Sequence, residues 1–495
     1  MSFHIVRKDG RKQIHVKSIG SSKDPEQIRN LEILAHCELS QIKRQGTLEL
    51  SYQQDKLFYN TLSDGLKKVE IAGFELILGK LFDEIGFNAI EDELLRHLVI
   101  SRISHPGSKL KTINYLLEHH GIFYEIDAVY RYLDKLNTKH KSLLQDKSYQ
   151  HTLRLFNGCI RMLFYDVTTL YFEAEDEDDL RKAGFSKDGK AQHPQIVLGL
   201  LVSRGGYPLA FEMFEGNKFE GKTMMSVLER FKKKYAIREA IVVADAGLLS
   251  NENIENLKKS GYQFIVGARI KNETQVIKEQ ILTLTLESGQ SHTILKPDGE
   301  RLIISYTASR ANKDKKNRER GLRRLEQAIR SGRLSKRHIN NRGYNKYLKI
   351  DGEVEISIDY DKFHLDERWD GLKGYLTNTA LSPDQVIESY GNLWHVEKAF
   401  RISKTDLRIR PIFHRLKRRI ESHLIIAFCS YKLYKELERQ LKEKKTGISV
   451  EKAIRLMHSI FAIQVKMPVS GKIEKIIHLK TDDQRVLLKA FDIKI

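Results

Sequence analysis

Residues 160–172 read IRMLFYDVTTLYF, a run of aromatic and β-branched side chains with a single acid, Asp166, near its middle. That composition predicts a β-strand. Downstream, QIVLGLLVSR (195–204) and YPLAFEMF (207–214) flank Gly205-Gly206 and read as a hairpin. A helical stretch (222–235) leads to AIVVA (240–244), a short buried strand closed by Asp245 and a turn at Ala246-Gly247. A helix over 251–259 and the strand YQFIVGA (262–268) follow. Three strands in a meander, then helix, strand, helix, strand, predict an α/β fold with a mixed sheet flanked by helices.

The rest of the chain arranges itself around this core. FHIVRKDGRKQIHVKSIG near the start places a DG turn between two alternating runs, a strand pair. Residues 25–60 and 76–157 carry helical periodicity, clearest in IEDELLRHLVISRI (90–103) and broken at His105-Pro106-Gly107. Such helices suit a DNA-binding unit or a dimerisation scaffold, and the pattern does not choose between them. Residues 271–375 read as a charged, β-rich interruption. A helix begins near Ser382-Pro383-Asp384, with Ser as N-cap and Pro in the first turn, and its periodicity runs towards Lys442. The expected divisions are a mostly helical N-terminal region (1–157), a first core segment (158–270), a basic β-rich insertion (271–375), a second core segment (376–445) and a tail (446–495).

The 495 residues carry 85 Lys and Arg against 65 Asp and Glu, a net charge of +20 that points to a polyanionic partner, most simply nucleic acid. Between Arg310 and Lys349 there are 15 basic and 3 acidic residues, so this one segment holds more than half of the excess. No apolar run is long enough to span a bilayer, and no signal core opens the chain. The three cysteines form no CxxC pair and no even framework, which argues for a reducing compartment and against a cysteine-built zinc site. A cytoplasmic protein without a membrane partner is expected.

Three carboxylates stand out by context: Asp166 inside its strand, Asp245 at the end of IVVAD, and Glu397 in YGNLWHVEKAFRISK. An ionised Asp in an apolar strand is costly unless something compensates its charge. Mg²⁺ or Mn²⁺ would do so, because hard cations take carboxylate oxygens and complete their shells with water and substrate phosphate. Two such ions about 4 Å apart can activate an attacking oxygen and stabilise a leaving one. His193 and His395 lie nearby in sequence, but the chain has no convincing zinc cluster. Asp166 and Asp245 are 79 residues apart, room for the meander and a crossover; the 152 residues from Asp245 to Glu397 require the interruption at 271–375.

Seven blocks in order carry a resemblance: RISHPGSKL, YDVTTLYFE, GFSKDGKAQHPQIVLGLL, PLAFEMFEGN, VVADAGLLSNENI, RANKDKKNRERGL and YGNLWHVEKAFRISKTDLRIRPIFHRLKRRIESHL. On these the sequence resembles bacterial insertion-sequence transposases of the IS4 superfamily, closest to its IS1634-like branch. The resemblance implies an RNase H-like core interrupted by a mostly β insertion, with Asp166, Asp245 and Glu397 as catalytic metal ligands. It implies cut-and-paste transposition: cleavage at transposon ends, then transfer into target DNA. Double-stranded DNA, as terminal inverted repeats and target, is the implied partner, with a homodimer in the synaptic complex.

The superfamily signature around the last acid is Tyr, two residues, Arg, three residues, Glu, six residues, Lys. Tyr390, Glu397 and Lys404 fit it, while Leu393 stands in the place of the Arg. Arg401, one turn beyond Glu397, is a substitute phosphate contact or an i,i+4 partner of Glu397. Tyr390, Arg401, Lys404 and Arg408 are the expected DNA contacts, with Trp369 a base-stacking candidate or a core residue. Two other functions compete: an RNase H-like nuclease without strand transfer, and an inactive or domesticated transposase retained for DNA binding.

Overall fold

The computed structural model describes the chain except residues 44–54, 57, 60–62, 64, 175, 187–188, 190–191, 236, 238, 249, 335–339, 341–342, 352–354, 468–469 and 495. Two compact units divide it: Ser148–Lys404 with Arg410–Phe413, and Met1–Lys147 with Thr405–Ile409 and His414–Ile495.

The first of these units begins with the quoted strand, β1 (Met162–Tyr171), followed by β2 (Gln195–Ser203) and β3 (Pro208–Glu215). Helix α1 (Met224–Tyr235) leads to β4 (Ile241–Ala244), and α2 (Asn251–Lys259) to β5 (Gln263–Ala268). The meander is antiparallel, while β4 and β5 run parallel to β1 on its other side. This 3-2-1-4-5 order is the RNase H-like mixed sheet that the resemblance implies. On α1, Val227, Leu228 and Phe231 are buried at helical spacing against the sheet side chains Tyr165, Val242 and Phe264. Gly199 on β2 is required by close approach: a Cβ there would meet the Tyr165 hydroxyl at 2.3 Å.

The stretch between the core segments departs from the β-rich expectation. After α3 (Gln275–Thr283), strands β6 (Ser291–Leu295) and β7 (Arg301–Tyr306) do not form a separate β layer. Instead they join β10 (Leu372–Thr377) on the open edge of β5, giving one eight-stranded sheet of order β3-β2-β1-β4-β5-β10-β7-β6. Between β7 and β10 the chain makes a mainly helical excursion, dominated by the 23-residue α4 (Ala308–Arg330). A two-stranded ribbon, β8 (Leu348–Asp351) and β9 (Glu355–Ile358), and α5 (Tyr360–Glu367) complete it. Leu325, Tyr347, Leu348, Ile358 and Phe363 give this excursion a small core of its own. The basic run therefore lies largely on a helix, where Lys and Arg are good formers.

Helix α6 (Pro383–Gly391) starts with the expected cap: Ser382 Oγ accepts from the Gln385 amide, and the Gln385 side-chain oxygen accepts from the Ser382 amide in a capping box. The expected continuous helix breaks at Asn392-Leu393 and resumes as α7 (Trp394–Thr405). It breaks again before Lys417–Glu443, which belongs to the other unit rather than to the core.

In that other unit, Lys417–Glu443 is buried on nearly all sides from Ile420 to Leu441, as suits a central helix. The strand Phe461–Lys466 pairs with Leu66–Ile71 and with Ile473–His478, so the N-terminal region and the tail share one three-stranded sheet. The expected strand pair forms as Ser2–Asp9 against Lys12–Ser21. The helical expectation over 25–60 holds for Pro25–Ile42, and much of its remainder lies outside the described residues.

Candidate active site

The register of β1 on β4 pairs Tyr165 with Ala244, so the next residues are Asp166, still on β1, and Asp245, the first residue beyond the end of β4. Adjacent strands lie about 4.8 Å apart. Tyr165 and Ala244 both belong to the core under α1 and α2, and side chains alternate along a strand, so Asp166 and Asp245 face the opposite side of the sheet. That is the side taken by α7: the ring of Phe164, which shares the face of Asp166, meets the ring of His395 at 6.5 Å. Glu397 is exposed in the first turn of α7. Asp166 Oδ1 accepts from the amide of Val167 at 2.8 Å, and the backbone carbonyl of Asp245 accepts from Leu248 in the following turn.

Tyr390, on α6, donates its hydroxyl to Asp245 Oδ1 at 2.8 Å. The buried hydroxyl's pKa is pushed far above its ordinary value, first by desolvation and then by the Asp245 carboxylate, so it remains a donor. Gly267 on β5 makes room for it, because a Cβ there would stand 2.5 Å from the Tyr390 oxygen. The expectation that Tyr390 reaches DNA phosphate thus meets a different finding. Its polar end is engaged with an acid, across a break that puts it on a separate helix from Glu397.

Lys373 was not legible as a site residue. It lies on β10 with its ammonium 4.3 Å from the centre of the Tyr390 ring and 5.2 Å from that of Tyr375. Burial, then the charge of Arg310, lowers its pKa, while Asp245 and Glu397 both pull the other way. Lys373 therefore sits within the field of two of the three acids. Alternation in LKGYLT (372–377) put Lys373 and Tyr375 on one strand face, but only the pairing of β10 with β5 brings that face beside Asp245.

Leu393, in the signature's Arg position, is buried in the break between α6 and α7. Arg401 is exposed one turn beyond Glu397, and Lys404 is half-buried near the end of the same helix. Arg408 falls in the other unit, exposed and with a positive φ of 45°. Trp369 packs against the sheet core with the Lys271 ammonium 5.8 Å from its ring centre, and it also lines a pocket of about 620 Å³. Lys373, Arg310, Arg318 and Lys346 line the same pocket. Part of the basic run is structural here: Arg318 pairs with Asp370 at 2.7 Å and Lys346 with Asp366 at 2.5 Å.

Oxygen donors on Asp166, Asp245 and Glu397 suit a hard divalent cation in type. Among the described residues, however, no three Asp, Glu, His or Cys side chains are gathered into a ready metal-holding group. The neighbouring Asp166 and Asp245, rather than a closed triad, are what the sheet itself supplies.

A model of the transposase DDE domain family matches residues 157–433, more than half of the chain, and the chain belongs to that family. It is a transposase-family protein built on an RNase H-like core. None of the curated proteins matches it. Among solved structures it is similar to a piggyBac transposase synaptic complex with hairpin DNA, at 10% identity over 78% of each chain and a TM-score of 0.37. It is also similar to a Mos1 transposase paired-end complex with the left transposon end, at 10% identity over 49% of this chain and 77% of that one (TM-score 0.16). A Mos1 mariner paired-end complex with Mn matches at 12% identity, 49% and 78% coverage and a TM-score of 0.15. No described helix is long and apolar enough to cross a membrane.

Proposed function

We propose that the protein is a metal-dependent DNA transposase of the cut-and-paste type, with Asp166, Asp245 and Glu397 as its catalytic acids. The observation that supports this is the register that sets Asp166 on β1 next to the end of β4, where Asp245 follows, on the side of the sheet taken by α7, the helix of Glu397. Family membership supports the reaction class. The order of the seven sequence blocks supports the IS1634-like branch of the IS4 superfamily.

Asp166 and Asp245 would hold divalent ions, Mg²⁺ or Mn²⁺, with Glu397 contributing from α7. Bound there, the ions would supply Lewis-acid activation of the attacking oxygen and stabilisation of the leaving one. Tyr390 orients the Asp245 carboxylate through its hydrogen bond, and Lys373 supplies the positive charge that Leu393 cannot. Arg401 and Lys404 contact DNA phosphates flanking the scissile bond. In the first reaction, water displaces the 3′ oxygen at a phosphodiester of the element end, leaving a 3′-hydroxyl. In transfer, that hydroxyl attacks a target phosphodiester; one P–O bond forms as another breaks. Two ends must be joined in one event, so a homodimer in the synaptic complex and double-stranded DNA as partner belong to the same reading.

The test is a duplex carrying the inverted repeats that flank the gene, incubated with the protein and Mg²⁺. Cleaved ends and joined products are expected, lost with EDTA and reduced on the order of 10⁴-fold by Asp245→Ala, the scale seen when a catalytic carboxylate is removed. Cleavage without joining would move the protein to the nuclease class. Unchanged cleavage and joining by Asp245→Ala would sink the assignment of the acids.

A further inference from the structure

In the unit that holds the N-terminal region, two basic side chains that lie close in sequence are both buried. Arg102 closes the helix Glu93–Ser104 and is 4% exposed; Lys109 opens the helix Lys109–His120 and is 5% exposed. The guanidinium Nη1 of Arg102 donates to the carbonyl of Gly107 at 2.9 Å, a neutral acceptor in the loop between the helices. Among the described residues no carboxylate pairs with either side chain. Burial lowers the pKa of Lys109 well below its ordinary value, and the charge of Arg102 lowers it further.

Two histidines complete the cluster. His423, 7% exposed on Lys417–Glu443, donates Nε2 to the carbonyl of Ile409 at 2.9 Å. Its ring lies 5.8 Å from that of half-buried His414. Both rings feel the positive charges of Arg102 and Lys109, and burial with those charges lowers both pKa values, His414 to about 4. Arg419 adds its charge to His414, but it is itself neutralised by Asp134 at 2.9 Å.

Burying charges of one sign together is unfavourable twice over, by desolvation and by mutual repulsion, unless an anion answers them. The geometry already contains the remaining parts of an anion site. Ser108 Oγ caps the Lys111 amide at 3.3 Å, so the amides of Lys109 and Leu110 are the ones in the first turn without an intrahelical acceptor, and a helix N-terminus favours negative charge. A guanidinium, an ammonium and two imidazoles offer more donors than a single carboxylate can use. We infer that Arg102, Lys109, His414 and His423 form a phosphate-binding site at the N-terminus of Lys109–His120, with half-buried His414 at its mouth. Exposed Arg415 and Lys417 continue the positive surface beside His414, which favours a DNA backbone phosphate as the source over a free phosphate ion.

The full-length protein tests this without any cleavage assay. Its thermal midpoint should rise in a saturating manner with inorganic phosphate, against chloride at matched ionic strength. Lys109→Met should melt no lower than wild type in chloride, since it removes an unpaired buried cation, and should lose the phosphate response. His414→Gln, at the less buried mouth, should weaken that response with the fold intact. The source is read from duplex DNA binding as salt is varied, an arm that rests on the proposed DNA-processing function. A backbone phosphate predicts a salt slope smaller by about one in Lys109→Met; an unchanged slope with a lost phosphate response identifies a free phosphate ion. The site is overturned if wild type shows no phosphate response, or if Lys109→Met and His414→Gln both retain it in full. Asp245→Ala, in contrast, should keep the phosphate response, so failure of the catalytic assignment and failure of this site are separable.

Discussion

Tyr390 donates a hydrogen bond to Asp245, and Lys373 places its ammonium 4.3 Å from the centre of the Tyr390 ring. Neither is a candidate ligand, and removing either should leave DNA binding largely intact while slowing the reaction. A hydrogen bond to a charged group is worth about 1.5–3 kcal/mol. Tyr390→Phe should accordingly lower single-turnover cleavage by about tenfold or more, since 1.4 kcal/mol is one decade. Lys373→Met should lower cleavage more than it lowers affinity, and Lys373→Arg should recover part of the rate. An equal fall in affinity and rate, measured by filter binding beside single-turnover cleavage, would mark Lys373 as a simple DNA contact.

At the scale of elements, the site depends on how closely α6 lies on β5. Gly267 leaves room for the Tyr390 hydroxyl, and Gly267→Ala puts a methyl 2.5 Å from that oxygen, closer than the two can approach. The expected result is a folded protein with cleavage reduced at least as far as in Tyr390→Phe. Combining the two substitutions should cost less than the sum of their separate effects, because both act on one contact. The start of α6 gives an independent check. Ser382→Ala removes one half of the capping box and should destabilise the unit by about 1 kcal/mol. Denaturant unfolding would read it, and no change in midpoint would show that the cap contributes nothing.

Over the whole molecule, titration of buried histidines sets an acid limit on stability. Burial first, then the nearby Lys109, Arg419 and Arg102, hold His414 at about 4 against an ordinary 6.5. His120 is also held at about 4, by burial first; Glu70 raises it, while His97, His119 and Lys68 lower it. A histidine whose folded pKa is depressed resists protonation only when folded. Its contribution is complete above pH 6.5 and is lost as the pH falls from there towards 4. The unit formed by the N-terminal region and the tail should therefore lose thermal stability across that window. Calorimetry at stepped pH checks this, and a flat midpoint between pH 7 and 4 would contradict it. Phosphate should blunt the loss, because an anion beside His414 favours its charged form.

The local order of elements from residue 160 to 268 was legible because each strand advertises itself by composition and each break by glycine or a short polar turn. Asp166, Asp245 and Glu397 stood out as candidates by context, and Ser382 as a cap by its place before Pro383. What periodicity could not carry was pairing. The interruption between the core segments reads as β-rich, yet its strands β6, β7 and β10 extend the core sheet and its basic run is mostly the helix α4. A strand's partner lies in hydrogen bonds to distant residues, which composition does not encode. For the same reason Lys373 stayed hidden, and the long helix Lys417–Glu443 read as part of the core although it packs with the N-terminal region. The sequence by itself determined which acids the chain offers, the strand or helix that carries each, and the family. Only the tertiary structure decided that Asp166 and Asp245 are neighbours, that Tyr390 is tied to Asp245, and that Arg102 and Lys109 are buried together. Those are matters of register and burial, and both are properties of packed elements rather than of any single segment.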